Sequence, residues 1–231
     1  MSVVKQIVCL ANSRKPSGRC VAGKEVSVDG TGRWVRPVSD RPTEDVSDGE
    51  RAYRDGSDPQ VLDIVDVPLL ASRPRSHQTE NWLLDPHSRW VKRGRVSWDD
   101  LQTYTDAPIR LWVNGYCSFE GMNDRVRQVD AGLQRRSLYL LSLRELSIRV
   151  FAPGATFGNL KRRVQAEFSY GGTTYRLWVT DPQIERRYLT GPDGEFLLGR
   201  CYVTVSLGEA YSDGYCYKLV AAIVTRARAQ A

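Results

Sequence analysis

The sequence predicts a mainly β fold, arranged as two five-stranded units with a few short helices. Three observations carry that expectation. Short apolar runs recur between Gly, Pro and Asp punctuation along the whole chain. A strictly alternating stretch, Arg163 to Tyr170, runs into Gly171-Gly172 and out again, as a tight hairpin requires. An Arg-Trp motif, Arg33-Trp34-Val35, echoes as Arg110-Leu111-Trp112-Val113 and Arg176-Leu177-Trp178-Val179, as two similar halves would show. Strands of this length with few helices make a small barrel or sandwich, and a helical or doubly wound α/β fold does not fit.

Taken in order, Val4 to Leu10, Cys20 to Val28, Arg33 to Ser39 and Leu62 to Leu70 read as strands. Thr43 to Tyr53 reads as a short helix capped by Thr43, and Ser97 to Tyr104 as another opened by Ser97. Ile109 to Phe119 reads as a strand. The polar stretch from Asp124 to Ser137 is the expected boundary region, which divides the chain into domains 1–130 and 131–231. Beyond it, Ser137 to Phe151 is strand-forming. On the Arg163–Tyr170 strand Val164, Ala166, Phe168 and Tyr170 share one face. The return strand turns Tyr175, Leu177 and Val179 inward and Arg176, Trp178 and Thr180 outward. Cys201 to Leu207 and Tyr215 to Thr225 form the last pair, joined through Gly208 to Gly214.

With 41% hydrophobic and 26% charged residues, the 231-residue chain reads as globular. No apolar run approaches the roughly 18 to 20 residues of a membrane span, and Met1 to Gln6 does not open a secretory signal. Five scattered cysteines without a CxxC pair argue for free thiols in a reducing compartment, so a cytoplasmic protein is expected. The net charge of +6, carried by 27 Arg and only 6 Lys, suits an anionic partner, although Arg enrichment also follows from a GC-rich genome. There is no basic tail, so an anion site has to be built on the fold itself.

The first such candidate is the cluster at the end of the first strand: Asn12, Ser13, Arg14 and Lys15, then Arg19. Arg33, Trp34 and Arg36 follow. Guanidinium groups fork phosphates bidentately and a Trp face stacks on a base, so these residues are expected to converge on one basic surface. The competing reading is a solvated basic loop with a core Trp. Arg176 and Trp178 form a second outward pair, open either to a base or to packing. Gln78 and Asn81 could read a base edge or simply satisfy loop backbone. Ser206 and Glu209 with Lys218 form the next candidate, in which Glu209 and Lys218 could instead pair across the hairpin. Asp124-Arg125 reads as an ion pair or a ligand contact. His77 and His87 lack a third ligand at metal spacing, and neither a metal nor any other cofactor is expected. Gly18-x4-Gly23-Lys24 lacks the Ser or Thr of a phosphate loop and is an accidental match.

Several of these stretches together resemble a family. Leu10 to Lys15, Gly18 to Gly23, Trp34 to Ser39, Leu62 to Val65, Gln78 to Asn81, Val203 to Glu209 and Gly214 to Ile223 are similar to segments of the bacterial dual OB-fold domain family. The resemblance covers nearly the whole chain. It implies two adjoining OB-like five-stranded barrels, binding of nucleic acid or a nucleotide, and an association with antiviral defence, where the chain would act as sensor or adaptor beside other defence-system proteins. A non-catalytic binding module is the leading expectation. An enzyme acting on nucleotides or nucleic acid, and a subunit that bridges partner proteins, are the alternatives.

Overall fold

The structure is a computed structural model, and it describes residues 2–27 and 32–230. The fold is mainly β with few short helices. The chain divides into two compact units, Met1–Thr105 with Arg135–Ser137 and Arg226–Ala231, and Asp106–Gln134 with Leu138–Thr225.

The first unit contains β1 (Val3–Arg14), β2 (Arg19–Glu25), β3 (Trp34–Val38), α1 (Asp48–Arg51), β4 (Asp63–Ser72), β5 (Asn81–Leu84) and β6 (Val91–Arg95). β1 is long enough to serve two neighbours. Its Val3–Val8 stretch pairs antiparallel with β4, and its Ile7–Arg14 stretch pairs with β2 through a register shift between Cys9 and Ala11. That shift lets the strand bend, as a bulge does. β3 lies parallel to β5, β5 pairs with β4, and the ring β1-β2-β3-β5-β4 closes on β1. A Cβ at Gly23 would stand 2.1 Å from the carbonyl oxygen of Val8, so the tight β1–β2 approach admits only Gly there. Inside the ring pack Ile7, Cys9, Val21, Val35, Val65, Val67, Leu69, Leu84 and Trp90.

The second unit contains β7 (Arg125–Arg127), α2 (Gln128–Ala131), β8 (Leu138–Leu143), β9 (Leu146–Phe151), β10 (Arg163–Tyr170), β11 (Thr173–Val179), α3 (Pro182–Leu189), β12 (Gly194–Leu198), β13 (Cys201–Ala210) and β14 (Tyr215–Thr225). The sheet runs β12-β9-β10-β11-β14-β13-β8, with β7 added to β14. β8 pairs with β13 and β9 with β10, so these consecutive strands act as one interrupted strand whose two halves serve different neighbours, as β1 does in the first unit. β11 runs parallel to β14, the counterpart of β3 beside β5. α3 sits between β11 and β13, capped by Asp181, whose carboxylate accepts from the backbone of Gln183 at 3.1 Å. Both units therefore share the OB strand order.

The alternating hairpin is present: Gln165 lies opposite Trp178, and Gly171 and Gly172 take φ of +56° and +73° in the turn. Other expectations need correction. The strand expected over Ile109 to Phe119 is an irregular loop, and positive φ at Trp112 (+55°) and Gly115 (+100°) is incompatible with a ladder. Side chains satisfy its backbone instead: Asn123 Oδ1 accepts from Gly115 N at 2.7 Å and Asp124 Oδ1 from Ser118 N at 2.8 Å. The helix expected over Thr43 to Tyr53 shrinks to α1, opened by Ser47 and Glu50 as a capping box, while Thr43 hydrogen-bonds Asp45. Ser97 to Tyr104 gives a 3₁₀ helix over Asp99–Tyr104. The Val28 end of the second expected strand lies outside the described residues. The sequence reading has no counterpart of β5, β6, β7 or β12.

Candidate nucleic-acid interface

Alternation decides what the β10–β11 hairpin shows to each side. Val164, Ala166, Phe168, Tyr175, Leu177 and Val179 enter the core of the second unit. Their neighbours Arg163, Glu167, Arg176 and Trp178 fall on the other side, by the period of two. There the Arg163 guanidinium sits 3.9 Å from the centroid of the Trp178 ring, and Phe151 stacks on the same ring at 5.9 Å. The indole is thus packed against a cation and a stacked phenyl ring.

A cleft of about 650 Å³ opens over this face. Its floor comes from β10, β11 and β14, through Arg163, Trp178, Tyr217 and Leu219. One wall is the β9–β10 connection, with Pro153, Gly154 and Phe157, and another is the β13–β14 connection, with Tyr211, Ser212 and Asp213. Ser118 and Phe119, from the irregular loop ahead of β7, and Arg125, from β7 itself, complete the lining. Three of its aromatics stand in solvent: Phe119 is 64% exposed, Phe157 77% and Tyr211 62%. Phe119 meets Phe157 edge-on at 5.8 Å, and Tyr211 meets Tyr217 edge-on at 5.2 Å. Exposed aromatics grouped around a concavity are platforms for a flat ligand rather than core.

The electrostatics are mixed and ordered. Arg125 lies 4.1 Å over the Tyr215 ring and 3.8 Å from Asp213 Oδ2. Asp213 also accepts from the Tyr217 hydroxyl at 2.6 Å and from the Tyr215 backbone N–H at 3.1 Å. The phenol's hydrogen bond, with the backbone N–H and Arg125 behind it, holds the Asp213 carboxyl below its ordinary range. Burial, together with the same hydrogen bond, raises the Tyr217 phenol. Asp213 is therefore a fixed anion, and Arg125 and Arg163 are the cations that line the cleft.

The residues named from the sequence fall in several places. Trp178 belongs to the cleft lining but is buried, 8% exposed under Arg163 and Phe151, so packing takes most of the face expected to be open. Arg176 turns to Glu167, with Nε donating to Oε2 at 2.7 Å. Ser206 and Glu209 are half-buried on β13. Lys218 points away from the cleft, nearly fully buried, and donates to Val113 O and Asn114 Oδ1, both at 2.9 Å. It does not reach across the hairpin to Glu209. Burial lowers its pKa to about 7. Nor do Asp124 and Arg125 pair: Asp124 holds Ser118, and Arg125 turns to Asp213.

In the first unit the expected single basic surface does not form. Asn12 is taken by Asp58 and Pro59, to which its Nδ2 donates at 3.1 and 2.7 Å. Ser13 is buried, with its hydroxyl on Cys20 O at 3.4 Å. Trp34 is buried under the Lys24 ammonium, 5.5 Å from its ring. Arg36 is buried, 3.2 Å from Glu80 and donating to the Ser137 hydroxyl at 2.7 Å. Asn81 is fully buried and donates to Gln78 at 3.2 Å. Arg14 and Arg19 are Cα partners across β1 and β2, Lys15 lies in the turn that follows, and Arg33 is exposed. A strand end that looks polar in sequence is here a strand interior, because β1 continues through Asn12–Arg14, and interior polar groups are consumed by the fold.

Sequence reasoning weighed Arg125 as an ion pair or a ligand contact and missed Phe119, Phe157, Arg163, Tyr211, Asp213 and Tyr217. One signal was available: Arg163 shares the outward face of a strictly alternating strand next to Trp178. Tyr211 and Asp213 sit in a connection read only as a turn, Phe119 and Tyr217 in segments read as strands, and Phe157 in a connection with no pattern of its own. Among the described residues, no three His, Cys, Asp or Glu side chains gather as a metal site, no helix is long and apolar enough to cross a membrane, and the five cysteines are unpaired.

Compared with known proteins, residues 5–223 match the family model described as a dual OB-containing domain. No curated protein and no solved structure matches the chain.

Proposed function

The chain belongs to the dual OB-containing domain family, and from that premise we propose that it binds single-stranded nucleic acid in the cleft of its second barrel without acting on it chemically. The observation that carries this reading is the position of the cleft. It lies over β10, β11 and β14 and is walled by the β9–β10 and β13–β14 connections. In OB strand order these are the second, third and fifth strands and the two loops that flank the face on which such barrels take oligonucleotides. The chemistry agrees with the place. Phe119, Phe157 and Tyr211 offer stacking faces at the surface, and Arg125 and Arg163 offer charge to a passing phosphate backbone. A duplex keeps its base faces hidden, so stacking platforms favour a single strand. The net charge of +6 helps encounter with such a polyanion. The unpaired cysteines suit a reducing compartment, and the cytoplasm is the proposed location. The defence role rests on the family resemblance alone and adds nothing to this reading.

The test is fluorescence anisotropy with a short labelled single strand at two salt concentrations. Phe119→Ala with Phe157→Ala removes two exposed rings without touching the core, and is expected to weaken binding by about ten-fold or more, since each stacked base is worth about 1–3 kcal/mol. Arg163→Ala is expected to weaken binding and flatten its salt dependence. A folded double-Phe variant that binds as tightly as the parent would overturn the reading.

A further inference from the structure

We infer that the cleft selects guanine, read by the Asp213 carboxylate from a base stacked at Tyr211. The inference rests on the nucleic-acid reading above and goes beyond it by naming the base. Asp213 is the one carboxylate among the residues that line the cleft. Its position is fixed by three partners on its own hairpin and on β7: Tyr215 N–H on Oδ1, Tyr217 O–H on Oδ2, and Arg125 beside Oδ2. An ionised carboxylate offers about four lone-pair directions and no donor. Two are taken, one on each oxygen, and the side chain remains 39% exposed. What is left is a pair of acceptors, one per oxygen, in a forked geometry.

Tyr211 stands two residues away on the same tight turn, which Gly214, at φ +79°, and the Gly214 N–H to Tyr211 O bond of 3.0 Å hold closed. A base stacked on this exposed ring brings its edge, not its phosphate, toward Asp213, and a phosphate would be repelled there. The edge must then present donors to both oxygens. Guanine does so with its N1–H and 2-amino group. Adenine and cytosine set an acceptor beside their amino group, and uracil or thymine flanks a single N–H with two carbonyls. Each of these would place an oxygen or nitrogen lone pair against a carboxylate oxygen, and a buried edge without its partner is penalised. Bidentate matching therefore singles out guanine.

The experiment uses the full chain and a thymine strand carrying one central guanine, adenine, cytosine or inosine, in deoxyribose and ribose forms, with free GMP as competitor. The guanine strand is expected to bind on the order of ten-fold tighter than the others. Inosine keeps N1–H but lacks the 2-amino group, and is expected to lose most of that preference with no change to the protein. Asp213→Asn replaces one acceptor by a donor, and is expected to bring the guanine-to-thymine affinity ratio close to one, whatever the loss of charge beside Arg125 does to both affinities together. Preference in the deoxyribose strand, the ribose strand or GMP identifies the source of the guanine. If no strand binds, the nucleic-acid reading fails and this inference with it. If all strands bind alike, or the preference survives in Asp213→Asn or for inosine, nucleic-acid binding stands and the guanine assignment is overturned.

Discussion

Lys218 lies on β14 between Tyr217 and Leu219 of the cleft and points the other way, into the second unit. Its ammonium has two neutral acceptors, Val113 O and Asn114 Oδ1, and the Tyr175 ring at 5.1 Å. Burial lowers its pKa from an ordinary 10.5 to about 7, and the charges of Asp124 and Cys117 only partly oppose that. The unfolded chain therefore binds a proton that the folded chain has shed between about pH 7 and 10.5, and stability rises with pH across that window. The buried thiols act in the opposite sense. Burial pushes Cys9 and Cys201 up to about 12 and Cys216 to about 11, from an ordinary 9.0. Their contribution is complete below pH 9 and declines above it, as thiolates form in the unfolded chain alone. Urea midpoints should accordingly climb from pH 7 toward 9, by about 1 kcal/mol net in unfolding free energy, and then turn over. Lys218→Met should flatten the climb and leave the decline. A flat profile in the parent from pH 7 to 9 would show that the ammonium is not desolvated as the burial implies.

The β10–β11 hairpin is the element in which sequence and structure agree most closely, and its two glycines do different jobs. Both have positive φ, which costs an L-residue about 1–2 kcal/mol. At Gly172 a Cβ meets open space, whereas at Gly171 it would stand 2.6 Å from the Ile109 carbonyl oxygen. Gly172→Ala should therefore cost about 1 kcal/mol in chemical denaturation and Gly171→Ala clearly more, because backbone has to move as well. Equal costs would mean that the Ile109 loop does not press on the turn. This hairpin was legible because a half-buried strand must alternate and a two-residue turn demands glycine; both constraints are local. Ile109 to Phe119 misled for the converse reason. Its apolar residues Leu111 and Trp112 are buried next to one another in a loop whose backbone is paired by Asn123, Asp124 and Lys218; the first two read locally as turn residues, and Lys218 lies far along the chain. Asn12, Arg36 and Asn81 read as a ligand set in sequence because nothing local reveals Asp58, Glu80 or Ser137 beside them.

Across the whole chain, repetition of the strand order does not bring repetition of the site. The outward residue at the start of the parallel pairing is Trp178, opposite Leu219, in the second barrel and Arg36, opposite Asn81, in the first. Trp178, though only 8% exposed, is part of a cleft lining, while Arg36 is closed in by Glu80 and Ser137. Thr79, in the β4–β5 connection, adds a hydrogen bond of 2.8 Å to the carbonyl of Arg135. The segment Arg135–Ser137 thus engages, within the first unit, both the strand and the loop that would floor and wall a second cleft. Releasing Arg36 from Glu80 and Ser137 to meet a ligand would strand a buried charge, a cost of about 3–5 kcal/mol that two or three phosphate contacts do not offset once desolvation is counted. The Arg14–Lys15 turn, read from sequence as the leading site, is not joined by Trp34 and Arg36 on an open surface, because both are buried. One strand per chain is the expected stoichiometry. A tight-binding titration with an oligonucleotide of about six residues should saturate at one equivalent, and Phe157→Ala with Tyr211→Ala should remove essentially all of the binding while Arg14→Ala with Lys15→Ala removes little. Saturation at two equivalents, or a residual half of the signal in the Phe157 and Tyr211 variant, would place a working site on the first barrel and overturn the asymmetry.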